Sequence, residues 1–167
     1  MDHVNNDVPG FDPKKFWYAL GMRAIGGAVV TAASGSETAG LFALSTAHLT
    51  QNPPTLTVSV SKTTSALPII KQSGYFAVNY LTSADEEIAN IFCGRTALKG
   101  ADRFDQRLWK KGRHGSPVLL GAIGSMECRF VESIERFDAE IVIGEIVGYD
   151  FSAEGQPLVY FGGRTFG

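Results

Sequence analysis

Thr55-Leu56-Thr57-Val58-Ser59-Val60-Ser61 alternates without a break. Leu56, Val58 and Val60 fall on one face of an extended chain, and four hydroxyl residues fall on the other. Pro53-Pro54 ahead of this stretch is incompatible with helix there. A strand with one apolar and one polar face belongs to an antiparallel sheet covered on one side. Lys62-Thr63-Thr64-Ser65 follows at once, and a short helix is predicted from Ser65 to Gln72, stopped by Gly74.

Upstream, a strand near Gly40–Leu44 is joined through Ser34-Gly35-Ser36-Glu37 to a strand over Ala28–Ala33. Asp12-Pro13 signals a helix start, Asp12 as N-cap and Pro13 at the first helical position. Phe16, Leu20 and Met22 share a face of that helix, which Gly26-Gly27 is expected to end, and residues 1–11 read as a flexible tail. Downstream, Tyr75–Leu81 is a strand, and Ser83-Ala84-Asp85-Glu86 is a capping-box pattern that opens a helix to Phe92. Cys93–Pro117 is basic and glycine-rich without periodicity, the mark of a functional loop. Strands are expected at Ser125–Glu132, Glu140–Tyr149 and Leu158–Phe161. The connections are too short for repeated βαβ units. The fold class is therefore mostly β: an antiparallel, barrel-like domain spanning 12–167, with a few peripheral helices.

The 167 residues are 44% hydrophobic and 19% charged, enough apolar material for one buried core and too much for a disordered chain. Fifteen Lys and Arg against seventeen Asp and Glu leave no basic excess for nucleic acid. The longest apolar runs fall far short of the roughly 20 residues of a membrane span. Met1-Asp2-His3-Val4-Asn5-Asn6 is polar and acidic where a signal peptide would be basic and then apolar, so cytoplasmic residence is expected. Cys93 and Cys128 lack any paired spacing and read as free thiols, and His3, His48 and His114 are too scattered to bind a metal. Dinucleotide-fingerprint, phosphate-loop and hydrolase-elbow patterns are absent. Any chemistry is then expected to come from a bound organic cofactor.

One cluster suits an anion. Lys62, set among Ser and Thr at a strand-to-helix junction, combines a charge, several hydroxyl donors and a helix N-terminus. A solvated outer face with an ordinary N-cap fits the same residues, and composition leaves both readings open.

In sequence order, the chain resembles the short-chain flavin reductase family, the FMN-binding split-barrel reductase components of two-component monooxygenases. Asp12-Pro13-Lys14-Lys15-Phe16 is similar to that family's first helix. Gly40-Leu41-Phe42-Ala43-Leu44-Ser45 takes the place of its Gly-Met-Thr-Ala-Ser-Ser strand, and Pro53-Pro54 through Ser65-Ala66-Leu67 resembles its next run. Ser73 to Leu81, Phe92-Cys93-Gly94, Asp102-Arg103-Phe104, Gly115 to Leu119, Ile143 to Val147 and Pro157 to Arg164 continue the match at familiar spacing.

The resemblance implies a homodimer with flavin at the subunit interface. By position, Gly40, Leu41, Phe42, Ala43, Leu44, Ser45, Ser59, Val60 and Ser61 would line the isoalloxazine. Ser45, Lys62 and Ser65 would meet the phosphate, and Phe92, Cys93, Arg103 and Phe104 would close the site from the side or from the second subunit. The implied reaction is hydride transfer from NADH or NADPH to FMN, with FAD as the alternative, and onward delivery to a monooxygenase or a dedicated acceptor. No side chain is assigned as a catalytic acid or base. Two other fates stay open: prosthetic FMN serving a cobalt corrinoid or ferric ion, and a non-catalytic FMN-binding electron carrier.

Several positions depart from the family pattern. Phe42 and Leu44 replace hydroxyl residues, and Ala66 stands where a threonine often follows the serine. Phe137-Asp138-Ala139-Glu140 stands where relatives have Gly-Asp-His-Thr, so the histidine associated with nicotinamide is missing. Asp138 and Glu140 would instead set two carboxylates against a nucleotide's phosphates. Arg164, following Tyr160, is the best remaining candidate to contact the dinucleotide.

Overall fold

Leu56, Val58 and Val60 are buried along one face of strand β5, which spans Pro54–Ser61, while Ser59 and Ser61 stand exposed on the other. The computed structural model describes residues 12–152 and 154–166. The tail expected at residues 1–11 lies outside that range.

Helix α1 (Pro13–Leu20) starts as expected, with Asp12 Oδ1 accepting from the Lys14 amide at 2.9 Å. It ends well before Gly26, because Ile25–Gly26 forms a two-residue strand, β1. Strands β2 (Ala28–Ser34) and β3 (Glu37–Ala43) form the expected hairpin. Strand β4 (Ala47–Gln51) is exposed throughout, so it carries no burial pattern that alternation would betray. After β5 come helix α2 (Ala66–Ser73), which Gly74 ends in the left-handed conformation, and strand β6 (Tyr75–Tyr80).

The capping box sits one residue earlier than expected. Thr82 and Asp85 bond reciprocally around a 3₁₀ turn over Ser83–Asp85, and helix α3 (Glu86–Phe92) continues from it. The stretch expected as a structureless loop contains a second 3₁₀ turn (Gly100–Arg103) and a small hairpin of β7 (Trp109–Lys111) and β8 (Pro117–Leu119). The hairpin is held by two buried side chains: Asn79 Oδ1 accepts from the Leu119 amide at 2.9 Å, and Thr31 donates to the Pro117 carbonyl at 2.5 Å. Strands β9 (Gly124–Arg136) and β10 (Ala139–Phe151) outrun their expected limits and form one long hairpin. Strands β11 (Val159–Phe161) and β12 (Arg164–Phe166) close the described chain.

Seven strands form one antiparallel sheet in the order β3-β2-β6-β9-β10-β5-β4. Its two edge strands do not pair with each other, so the barrel is split. Residues of β2, β3, β5, β6, β9 and β10 nevertheless share one core with Ala66, Leu67 and Ile70 of α2, which requires the sheet to roll around that helix. A second core lies outside it, where Ile88, Ala89 and Phe92 of α3 meet Val29, Leu81, Trp109, Leu119 and Leu158.

Candidate functional site

A cleft of about 460 Å³ opens where three elements meet. Helix α3 contributes Glu86, Ala89 and Asn90, and Cys93 follows at its end. Phe42 and Leu44 come from β3 and the residue after it, and the β11–β12 hairpin brings Tyr160, Gly163, Arg164 and Thr165. The helix is fixed by its cap, Thr82 donating to Asp85 Oδ2 at 2.7 Å, and the hairpin is tied to it by Thr165 Oγ1 donating to Glu86 Oε1 at 2.8 Å. Arg95 Nη1 donates to Asn90 Oδ1 at 3.0 Å on the same wall. Arg164 enters no ion pair among the described residues. Burial raises the Cys93 thiol above its ordinary range, with Arg95 pulling the other way, so it stays protonated at neutral pH.

Leu44 leads directly into the hydroxyl strand. Ser45 stands where the β4–β5 ladder would continue, and its Oγ donates to the Ser59 carbonyl at 3.0 Å while accepting the Ser59 amide at 3.2 Å. In this structure its one O–H is therefore committed to the Ser59 carbonyl rather than offered to a ligand. Further along, Ser61 and Thr63 share a 3.0 Å hydroxyl contact, the Lys62 ammonium is paired with Glu135, and the Lys62 amide donates to the Asp138 carbonyl at 2.9 Å. Ser65 precedes α2 with helical dihedrals and no capping bond from its side chain, so its exposed hydroxyl is uncommitted.

The remaining expected site residues divide by face. Leu41, Ala43 and Val60 turn toward the barrel core, leaving only their backbone to face outward. Phe92, Phe104 and Trp109 form a knot of edge-to-face rings 5.2–5.5 Å apart, with the Arg103 guanidinium 5.0 Å over the Phe92 ring. Phe92 is 6% exposed, belongs to the second core and is not among the residues lining the cleft. Gly40 lies beneath that ring: a Cβ there would sit 2.7 Å from Phe92 Cε1. The glycine is explained by this packing.

At the β9–β10 turn, Phe137 adopts φ 51°, alone among the described non-glycine residues in having positive φ, and is 82% exposed. The expected repulsion from two carboxylates is halved. Glu140 is 7% exposed, and its carboxylate is bonded to Lys71 Nζ at 2.6 Å and Ser133 Oγ at 2.5 Å. Both partners hold its carboxyl below the ordinary range.

The structure thus gathers Phe42, Leu44, Cys93, Tyr160 and Arg164 in one cleft, and Ser59, Ser61, Lys62 and Ser65 on the adjoining strand edge. Sequence reasoning missed Glu86, Asn90, Arg95, Thr165 and Glu135. For Glu86 and Asn90 a signal existed: with Cys93 they recur at helical spacing, a single stripe of α3. Thr165 and Glu135 depend on pairings across more than seventy residues, which no local pattern encodes.

A split antiparallel barrel with a cleft against its third strand is the frame of this molecule, and comparison identifies its family. The family model described as the flavin reductase like domain matches residues 22–167, and the chain belongs to that family. The FMN reductase (NADH) RutF of Ancylobacter novellus is 32% identical over 167 residues, 98% of this chain and 91% of the relative. The 4-hydroxyphenylacetate 3-monooxygenase reductase component of Pseudomonas aeruginosa is 30% identical over 138 residues, 83% of this chain and 81% of the relative. Among solved structures, the NADH:FAD oxidoreductase SgcE6 of Streptomyces globisporus, in complex with NAD and FAD fragments, superposes with a TM-score of 0.83 at 28% identity. That match covers 93% of each chain. No helix among the described residues is long and apolar enough to cross a membrane, and no metal-ligating cluster is present among them.

Proposed function

We propose that this chain is an NADH-dependent flavin reductase, with FMN as the preferred flavin, that delivers reduced flavin to a partner monooxygenase. The observation that carries the reading is the cleft itself, which brings residues expected against flavin (Phe42, Leu44, Cys93) beside those expected against the dinucleotide (Tyr160, Arg164).

The donor set fits a flavin phosphate. Ser65 offers an uncommitted hydroxyl at the start of an eight-residue helix and Lys62 adds a cation, while Ser59 and Ser61 on the exposed face of β5 are left for the ring. Bound flavin supplies the acceptor for a nicotinamide hydride. The chain's own work is placement. Phe42 and Leu44 provide an apolar wall that keeps water from the ring. Tyr160 and the guanidinium of Arg164, which enters no ion pair among the described residues, orient the dinucleotide, the latter by fork-like bonding to its diphosphate. The protonated Cys93 thiol lines the wall without acting as a nucleophile.

A homodimer completes the reading. Trp17 and Tyr18 on α1 are each 66% exposed, and α1 reaches the β11–β12 hairpin through the Gly162 amide bonded to the Gly21 carbonyl at 2.8 Å. Exposed Phe161 and Phe166 on that hairpin extend the apolar surface beside the cleft, a suitable bed for a second copy. Two free thiols suit the reducing cytoplasm. The substitution Ala139 for the family histidine favours one rival, an FMN carrier without NADH chemistry.

The test is anaerobic mixing of FMN-loaded protein with NADH, followed by flavin absorbance, for the wild type and Arg164→Ala. We expect bleaching in both, with the NADH concentration for half-maximal rate raised about tenfold in Arg164→Ala and FMN affinity unchanged. Bound flavin that NADH does not bleach would establish the carrier.

A further inference from the structure

Lys62 is the only cation in the Ser59–Ser65 segment, and its ammonium is already engaged by the carboxylate of Glu135 near the end of β9. The backbone at Lys62 is anchored separately, its amide donating to the Asp138 carbonyl at 2.9 Å, so the side chain can change partners without moving the strand. Two carboxylates near the turn of this hairpin are placed differently. Glu140 points inward, is ion-paired with Lys71, accepts a hydrogen bond from Ser133 and also feels the charge of Lys62, whereas Glu135 is 69% exposed and has Lys62 as its side-chain partner among the described residues. Exposed pairs of this kind exchange readily.

Resting on the flavin reading above, we infer that Glu135 competes with the flavin phosphate for Lys62, and so keeps flavin an exchangeable substrate of this reductase. An arriving phosphate must take the ammonium from Glu135 and then leave that carboxylate beside a new dianion. On departure, Glu135 receives the ammonium back. Both effects weaken binding of a phosphate-bearing flavin and speed its release, and neither touches riboflavin, which has no phosphate.

The experiment is a flavin-fluorescence titration with FMN and riboflavin on the wild type, Glu135→Gln, Lys62→Met and the double variant, with dissociation rates by stopped flow. Glu135→Gln is isosteric at an exposed position, and a thermal melt verifies that it folds. We expect it to tighten FMN about three- to tenfold, mainly through slower dissociation, and to leave riboflavin unchanged. In the Lys62→Met background the gain should shrink to about twofold or less, since the double-mutant cycle isolates the shared lysine. Equal tightening of both flavins, no tightening of FMN, or a gain that survives loss of Lys62 each overturns the competition while leaving the flavin reading intact. Failure of the wild type to bind either flavin overturns that reading and the competition together.

Discussion

Two phenylalanine rings in this molecule each lie on a glycine, and the two places are built in opposite ways. In the barrel core, Phe76 of β6 is 1% exposed and covers Gly144 of β10; a Cβ at Gly144 would stand 2.6 Å from Phe76 Cε1 and 3.0 Å from Cys128 Cβ. In the outer core, Phe92 covers Gly40 of β3, where a Cβ would stand 2.7 Å from the ring and 3.0 Å from the Val30 carbonyl. Phe76 is fixed within a strand paired on both sides, by β2 and β9. Phe92 ends a helix of seven residues just before Gly94 turns the chain at φ 77°, and its ring neighbours, Phe104 and Trp109, stand on or beside a short hairpin. The difference is in how far each ring can retreat.

That contrast sets the largest expected effect. Gly144→Ala should destabilise the fold by about 3 kcal/mol, at the top of the range for overpacking, because strands on every side block relaxation. The urea midpoint measures it. Gly40→Ala should cost less, about 1–2 kcal/mol, because Phe92 can shift with the end of its helix. The double variant Gly40→Ala/Phe92→Leu should recover part of the loss by making room for the methyl. Equal losses at Gly144 and Gly40 would dissolve the distinction between a rigid and a yielding core.

The same contrast explains what was legible in the sequence. The barrel core is written as strict alternation in β5, where Leu56, Val58 and Val60 name their own face. From such strands the fold class follows, and the hydroxyl edge Ser59–Ser65 comes with it. The outer core has no such signature. Phe92, Phe104 and Trp109 are spaced without period and meet only because Asn79 and Thr31, buried in other strands, hold the β7–β8 hairpin in place. Phe92, which the resemblance sets beside flavin, has its ring in this packing. Residue type also hides commitment. Ser45 and Ser65 read alike, yet one hydroxyl substitutes for a rung of the β4–β5 ladder and the other is unengaged. Only the register of two strands distinguishes them.

The smallest effect concerns how each core is sealed. The barrel end is closed by the Glu140 carboxylate on Lys71 and Ser133, which pins the last turn of α2, whereas the outer core is covered by the Arg103 guanidinium over Phe92. A guanidinium keeps its charge throughout the acid range, but a carboxylate does not. The bond to Lys71 first, and then the bond from Ser133, hold the Glu140 carboxyl below its ordinary value of 4.5. With the folded value the lower one, the contribution is fully present above about pH 4.5 and is lost as the pH falls through the depressed folded value. Glu140→Gln should accordingly be less stable than the wild type at neutral pH, and the two urea midpoints should converge in acid. A gap that stays constant with pH would mean that the charge on Glu140 contributes nothing and that shape alone seals both cores.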